Sequence, residues 1–314
     1  MPIKKYERDD LSSIIKAFRT DGLVIVKGLI EDQNKLEELR IAADVVTHKT
    51  RNQTWPYKRT VGKQFPPWND ESPDVWGVQH IMHQSLNQRS FSELYFSKPM
   101  VDLTAKLSDR VDHNQSMIGL LNLLVEPQSH QFELGWHRDS IKADASHEEE
   151  VQKLIKERSR SGGVQWNLAL YEDSCLFAIP GSHRRPRTDV EREIMLNSKG
   201  MNSQASKVMP GQVCVTIMPG EGVFYDSEII HRARYDPSFK RRTLHGVHLD
   251  RRIDPTRPNR ILQHFSNSGF YYDDDEFLHS LPNDGVAKGM VDRMIQWTNI
   301  AKKAGLDEFV QENI

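Results

Sequence analysis

Gly135-Trp136-His137-Arg138-Asp139 sets an imidazole and a carboxylate two positions apart. Side chains alternate along an extended backbone, so His137 and Asp139 point to one face. A neutral imidazole beside a carboxylate makes two corners of a metal site, and a third ligand must come from elsewhere. His231, in Glu228-Ile229-Ile230-His231-Arg232-Ala233, stands at the end of another strand-like run. Two histidines and one carboxylate on one face of an octahedral ion leave three positions open, the arrangement associated with non-haem Fe(II) oxygenases. The pair by itself is weak evidence. The chain has 13 histidines, and His147/Glu149 and His248/Asp250 repeat the spacing. His147 begins His-Glu-Glu-Glu, which reads as a solvated helix face, and His248 is followed only by His264 and His279, in segments without strand character.

Downstream of His231 comes Arg241-Arg242-Thr243-Leu244-His245-Gly246. A dicarboxylate co-substrate bound to a metal at one end needs a cation at its far carboxylate, and the planar fork of arginine meets a carboxylate bidentately. In a strand, Arg241 and Thr243 share a face while Arg242 looks away, so one guanidinium and one hydroxyl converge. A register slipped by one residue would present Arg242 instead. The bland alternative is a basic turn at the surface.

These residues need a frame. Residues 8–20 read as a helix running into Asp21-Gly22 and the strand Leu23-Val24-Ile25-Val26, and Lys35 to Thr47 has helical apolar spacing. Residues 51–84 carry Trp55-Pro56, Pro66-Pro67-Trp68 and Ser72-Pro73 and read as a long loop-rich segment. Phe91 to Ser108 is helical again. Short β-prone runs follow: Met117–Glu126, Val164–Tyr171, Cys175–Ile179, Gln212–Met218, Gly222–Tyr225 and Arg241–Leu249. A charged stretch from Ser146 to Arg160 reads as a helix or mobile lid. The whole segment Ser140 to Gly163, dense in charge with little apolar surface to pin it, is expected to be a lid hinged at Gly162-Gly163. The alternative is a helix docked through Val151, Leu154 and Ile155. Arg184 to Ser206 reads as a basic-polar loop. Val286 to Ala304 is helical. The fold class expected is α+β with a mainly β core, one domain over 1–314 built around a β-barrel or jelly roll flanked by helices. Its helical N-terminal part is about 1–110, the core about 115–250 and the C-terminal helical extension 258–314.

Composition narrows the function classes. The 42 basic and 44 acidic residues give a net charge of −2, without the basic excess of a nucleic-acid binder. The longest apolar stretch, Met117 to Val125, is too short to span a membrane. The start lacks a secretory apolar region and the end carries no peroxisomal or prenylation signal, so a cytoplasmic location is expected. Cys175 and Cys214, in apolar strand-like runs, are read as small buried hydrophobes rather than a disulfide.

The sequence resembles the phytanoyl-CoA dioxygenase-like branch of the Fe(II)/2-oxoglutarate dioxygenases. The resemblance rests on Trp136-His137-Arg138-Asp139, Trp166-Asn167-Leu168-Ala169-Leu170, Ile179-Pro180-Gly181-Ser182-His183, and Ile230-His231-Arg232 followed by Arg241-Arg242-Thr243, with Asp21–Val26 like the family's N-terminal strand. It is nearest to fungal-type members that carry Gly62-Lys63-Gln64-Phe65-Pro66-Pro67-Trp68 and Val75-Trp76-Gly77-Val78-Gln79-His80. It implies a double-stranded β-helix in which His137, Asp139 and His231 hold Fe(II). The co-substrate 2-oxoglutarate would chelate that ion, Arg241 would bind its far carboxylate with Thr243 or Ser182 as hydroxyl partner, and O2 would be consumed. Relatives often carry Gln three residues before the first ligand histidine, where this chain has Leu134.

The function expected is oxidation of an aliphatic C–H of a small molecule of secondary or amino-acid-derived metabolism, by hydroxylation, desaturation, ring closure or epoxidation. Halogenation is disfavoured because Asp139 fills the halide position. No nucleic-acid or membrane partner is expected, and a homodimer is compatible with the sequence. The rivals are a non-catalytic ligand-binding jelly roll and a Zn(II) hydrolase, the latter giving no reason for Arg241. Other residues carry blander expectations. His183 is structural, and Trp68, Trp76 and Trp136 line either a pocket mouth or the core. Lys63, Gln64 and Gln79 are solvated or capping rather than contacts to substrate. Glu148-Glu149-Glu150 starts a helix, and Arg184, Arg185 and Arg187 are solvated.

Overall fold

The computed structural model describes residues 3–61, 74–108, 113–159, 164–197, 208–252 and 271–305. Two sheets face each other. The larger has the order β1 (Lys5–Glu7), β2 (Leu23–Lys27), β10 (Gly222–Asp226), β7 (Val164–Ala169), β12 (Arg242–Asp250), β5 (Ser116–Val125), β4 (Val75–Val78), β3 (Lys58–Thr60). The smaller has the order β6 (Phe132–Glu133), β11 (His231–Tyr235), β8 (Asp173–Ala178), β9 (Val213–Ile217). Apart from β1 with β2, the pairings are antiparallel, and neighbours such as β10 and β2 or β12 and β7 lie far apart in the chain. This is the jelly roll.

Strand alternation sorts the large sheet into two faces. Val78, Leu123, Leu244 and Leu168 form one cross-strand row and join the main apolar core with residues of the helices. Those helices are α1 (Leu11–Asp21), α2 (Gln33–Arg51), α3 (Arg89–Tyr95), α4 (Lys98–Leu107) and, at the far end, α7 (Asp275–Ser280) and α8 (Gly285–Lys303). The opposite face turns inward. Leu23, Ile25, Ala169, Val223 and Tyr225 there meet Leu176, Ala178, Val215 and Ile217 of the small sheet in a second core.

Local signals explain where elements stop. Asp10 caps α1 by accepting from the Ser13 N–H at 3.2 Å, and the helix buries Ile14, Ala17 and Phe18. It ends at Gly22, whose φ of 76° is left-handed. That glycine serves a second purpose, because a Cβ on it would lie 2.4 Å from Nδ1 of His183.

The β-prone runs read from the sequence all become strands, with ends shifted by a residue or two. Four expectations fail. The helix read over Phe91–Ser108 is two helices, broken before Lys98-Pro99, as proline at a first helical turn favours. The segment 51–84 contains the edge strand β3 and its neighbour β4; its residues 62–73, with Lys63, Gln64 and Trp68, lie outside the described residues. The expected loop 184–206 holds α6 (Asp189–Asn197). Cys214 is exposed on edge strand β9, facing away from the inner core, and both cysteines are free. Burial pushes the Cys175 thiol up to about 12. No helix among the described residues is long and apolar enough to cross a membrane.

Candidate active site

His137, Asp139 and His231 come together, with one ligand atom from each within 4.8 Å of the others. His231 opens β11 rather than closing a strand. Its backbone exchanges two hydrogen bonds with His137, at 3.0 and 3.1 Å, and the two imidazole centroids are 4.3 Å apart. Asp139 Oδ1 lies 3.7 Å from Nε2 of His137 and 3.9 Å from Nε2 of His231. Cis ligands about 2.1 Å from one ion are about 3 Å apart, so small side-chain movements close the site. In both histidines Nδ1 faces a backbone carbonyl, Gly135 O at 2.7 Å and Ile229 O at 2.9 Å. Nδ1–H therefore donates, and Nε2 keeps its lone pair for a metal. Burial first, then the neighbouring His137, push the pKa of His231 down to about 4, which keeps the ring neutral. Gln165 donates to Asp139 Oδ2, leaving Oδ1 as the inner oxygen.

The residue between the two i and i+2 groups points away from them, as alternation requires. Arg138 is fully buried and donates to Glu150 Oε1 at 3.1 Å, to the carbonyls of Ser182 and Arg185 at 3.1 and 2.8 Å, and to Glu228 O. Glu150 belongs to α5 (His147–Ser159) and also receives Arg187 Nε at 2.9 Å and Arg192 Nη2 at 3.0 Å. The expected lid over 140–163 is, in its described part, a helix held by buried charge. Its acid is the attachment point, and Ile141, Ala145 and Leu154 add a small apolar cluster. Arg187 and Glu150 are buried, not solvated. The proposed hinge at Gly162-Gly163 lies outside the described residues.

Above the triad, the inner face of the large sheet is polar. One cross-strand row runs Asn122, His245, Asn167, Val223; the next brings Gln165 opposite Tyr225. His245 Nδ1 pairs with Asn167 Oδ1 at 2.9 Å. Burial, then the positive charges of Arg59 and Arg241, hold His245 well below its usual pKa. The Tyr225 ring centroid is 5.5 Å from that of His231, and burial raises its phenol pKa. These residues were overlooked as site residues. The signal was present as polar types at i, i+2 and i+4 in Arg241/Thr243/His245 and at i, i+2 in Gln165/Asn167, where a core-facing row should be apolar.

Arg241 and Thr243 do share the inner face, and Arg242 points outward to Asp44 at 2.8 Å and Glu126 at 2.6 Å. The carboxylate on which they converge is the protein's own. Asp173 Oδ2 accepts from Arg241 Nε at 2.8 Å and from the Thr243 hydroxyl. Burial opposes the charged form of Asp173, but the Arg241 charge and the Thr243 hydroxyl outweigh it and hold the carboxyl below its ordinary range. The same ion pair raises the pKa of Arg241 well above its usual value, against the effect of burial. Thr243 is thus occupied, while the buried Arg241 Nη1 has no hydrogen-bond partner. Ser182 stands elsewhere. Its hydroxyl accepts the Ile230 N–H at 2.8 Å, which holds the chain just before His231. His183 is structural, its ring packed on Gly22 with Nε2 3.3 Å from Arg19 O. The competing His248 is buried against Thr104 and Tyr95. Trp76 packs with Phe132 and Tyr235, and Trp136 with Ile179, Met195 and Ile230, so both are core.

The sequence profile of phytanoyl-CoA dioxygenase (PhyH) matches residues 18–244. No curated protein matches the sequence. Among solved structures, AviO1 from Streptomyces viridochromogenes Tue57 superposes with a TM-score of 0.53 at 19% identity, covering 77% of this chain and 95% of that one. EctD from S. alaskensis, with 2-oxoglutarate and 5-hydroxyectoine, gives 0.51 at 17% identity, over 75% of this chain and 74% of that one. The carbocyclase SnoK from nogalamycin biosynthesis gives 0.50 at 16% identity, over 79% and 87%. At these identities the structures speak to the fold, a jelly roll shared with dioxygenases of this type. The match of the family profile over most of the chain defines the class, an Fe(II)/2-oxoglutarate-dependent dioxygenase. Within that class the chain belongs to the phytanoyl-CoA dioxygenase family, which uses Fe(II), 2-oxoglutarate and O2.

Proposed function

We propose that His137, Asp139 and His231 hold the Fe(II), that Arg241 takes the far carboxylate of 2-oxoglutarate, and that the enzyme oxidises an aliphatic C–H of a small molecule in secondary or amino-acid-derived metabolism. The observation that carries the metal assignment is the convergence of one ligand atom each from His137, Asp139 and His231 within 4.8 Å, with Asp139 Oδ1 3.7 and 3.9 Å from the two Nε2 atoms and both Nδ1 positions committed to carbonyls. Biosynthetic small molecules in the names of EctD's bound ligand and of SnoK's pathway support the substrate class.

When bound, the iron supplies O2 activation at the expense of 2-oxoglutarate, which leaves as succinate and CO2. The chain's own residues prepare the geometry. Gln165 fixes Asp139 so that one oxygen faces the histidines. Asp173 orients Arg241 by holding Nε, which leaves the Nη1 edge for the co-substrate. The buried Tyr225 and the apolar inner row beside it exclude water from the side of His231. Hydroxylation is the default outcome, and desaturation, ring closure or epoxidation remain open to the same C–H oxidation.

Anaerobic titration of the Fe(II)-loaded protein with 2-oxoglutarate, followed by the charge-transfer absorption of the chelated keto acid, tests this reading. Arg241→Ala should weaken 2-oxoglutarate by about thirtyfold or more, as expected for truncating one partner of a buried charge pair. Arg242→Ala should leave it within about threefold, because that side chain binds Asp44 and Glu126 outside the barrel. Equal effects from the two substitutions would remove Arg241 from the site.

A further inference from the structure

Arg59, the middle residue of β3, is 5% exposed and makes no hydrogen bond or ion pair to any described residue. Its guanidinium lies over Trp76, with Cζ 5.3 Å from the ring centroid. A cation–π contact offsets only part of the cost of taking such a charge out of water. The other buried arginines among the described residues are paired with acids, as Arg241 is with Asp173 and Arg138 with Glu150. A buried cation kept without a counter-ion needs an explanation.

Its position supplies one. Arg59 stands opposite Gly77, Gly77 opposite Leu124, and Leu124 opposite Thr243, so it belongs to the inner row that carries Arg241's neighbour Thr243. Gly77 makes room for it, since a Cβ there would be 3.1 Å from Arg59 Cδ. Burial draws the pKa of Arg59 down, and Tyr235, Tyr225 and Asp139 work against that shift. The cation therefore lies on the inner face within electrostatic reach of the carboxylate of the candidate metal site.

Two more unpartnered groups stand in the adjoining row. Continuing the β4–β5 register by two residues from Gly77↔Leu124 sets Gln79 opposite Asn122, and the His80 N–H donates to Asn122 Oδ1 at 3.3 Å. Gln79 is fully buried, yet neither end of its amide has a partner, and Asn122 Nδ2 has none. The solvated role expected for Gln79 is thereby excluded. One guanidinium and two amide N–H2 groups, all buried and all unspent, match the donor set of a carboxylate. Arg241 stands apart from this donor set, because Asp173 holds its Nε and its remaining Nη1 edge is the one assigned to the co-substrate.

We propose that Arg59, Gln79 and Asn122 form a second carboxylate subsite of the cavity, separate from Arg241, and that it takes an acidic group of the primary substrate. This rests on the reading of the cavity as the oxidation site. It narrows the substrate class to small carboxylic acids, with the acid at the β3–β4 end of the barrel and the oxidised carbon at His137, Asp139 and His231. An unpaired arginine held in a fixed orientation would then be a binding group kept at the expense of stability.

The test uses the full chain loaded with Mn(II) and N-oxalylglycine, a non-reacting analogue of the co-substrate, with benzoate and its neutral counterpart benzamide as probes. Calorimetric titration should show binding of benzoate in clear preference to benzamide. Arg59→Gln and Arg59→Met should each weaken benzoate by about thirtyfold or more while leaving N-oxalylglycine within about threefold. Without ligands, Arg59→Met should melt above the wild-type protein, because an apolar chain of similar reach replaces an unpaired buried charge. A merely structural arginine would move that melting temperature downward.

Equal binding of benzoate and benzamide, or binding of neither, overturns the proposal. Loss of N-oxalylglycine binding in the Arg59 variants overturns it too, since Arg59 would then serve the co-substrate. If the wild-type protein binds benzoate through Arg59 but fails to bind N-oxalylglycine, the subsite stands and the assignment of Arg241 falls.

Discussion

Replacing Glu150 by glutamine removes one negative charge from the middle of three guanidinium groups. Both Glu150 and Arg138 are fully buried, and Arg187 nearly so. Arg138 keeps its hydrogen bonds to three backbone carbonyls and Arg187 keeps its own to Ala143, Lys142 and Ala145, so the variant leaves few donors unsatisfied. What it leaves is uncompensated charge. Breaking a buried pair costs about 3–5 kcal/mol. At about 2–4 °C per kcal/mol for a domain of 150–250 residues, Tm should fall by about 6–20 °C, with the lower half favoured at this greater length. A second effect follows from position. Arg138 lies between His137 and Asp139, and its anchoring to Glu150 fixes that stretch of backbone. Loss of a group that supports metal ligands weakens metal binding by about 10–100-fold. Thermal unfolding of Glu150→Gln and a competitive Mn(II) titration measure the two effects on one protein. A Tm within about 2 °C of wild type would refute the hub as a stabilising element. A large drop in Tm with unchanged Mn(II) affinity would refute its coupling to the site.

Two other outcomes follow from buried groups. His231 and His245 have folded pKa values below the unfolded value of about 6.5, the first at about 4. Between those values the unfolded chain binds more protons than the folded one, so stability rises with pH. The metal-free protein should therefore lose stability as pH falls below about 6.5, by at most about 1.4 kcal/mol per pH unit per histidine. Urea titrations at pH 7.5, 6.5 and 5.5 measure this, and a flat profile would show that neither ring is held neutral. Gly246→Ala places a Cβ 2.1 Å from Cζ2 of the fully buried Trp166. Overpacking there should cost about 1–3 kcal/mol in chemical denaturation, whereas a loss below about 0.5 kcal/mol would mean that the indole has room to shift.

What could be read from the amino-acid sequence was what is local. The same-face pairing of His137 with Asp139 depends only on backbone alternation, as does the separation of Arg241 and Thr243 from Arg242. The strand runs from Met117 to Leu249 announced themselves through apolar content and Gly or Pro boundaries, and the order of the short motifs around His137, Asn167, Ser182 and His231 pointed to the family. Stretches shaped by edge position were harder. Strands β3 and β4 are short and proline-flanked, so they read as loop; β4 owes its strand character to pairing with β5, well downstream in sequence, and β3 owes its own to pairing with β4.

Only the tertiary structure decided which charges meet. Asp173 and Arg241 are 68 residues apart, and nothing near either one shows that Asp173 takes the hydroxyl of Thr243 as well. Glu150 looked like a helix-start acid because its neighbours in sequence are acids, whereas its partners Arg138, Arg187 and Arg192 arrive from two other segments. Gln79 was read as solvated or capping, and its burial came only from the pairing of distant strands. Charge and polarity are properties of a residue, but burial and pairing belong to the register between strands. A jelly roll sets that register by crossovers between distant parts of the chain. Local spacing therefore determined the ligand types and the face they share, and the crossovers determined which inner-face guanidinium meets a carboxylate, Arg241, and which does not, Arg59.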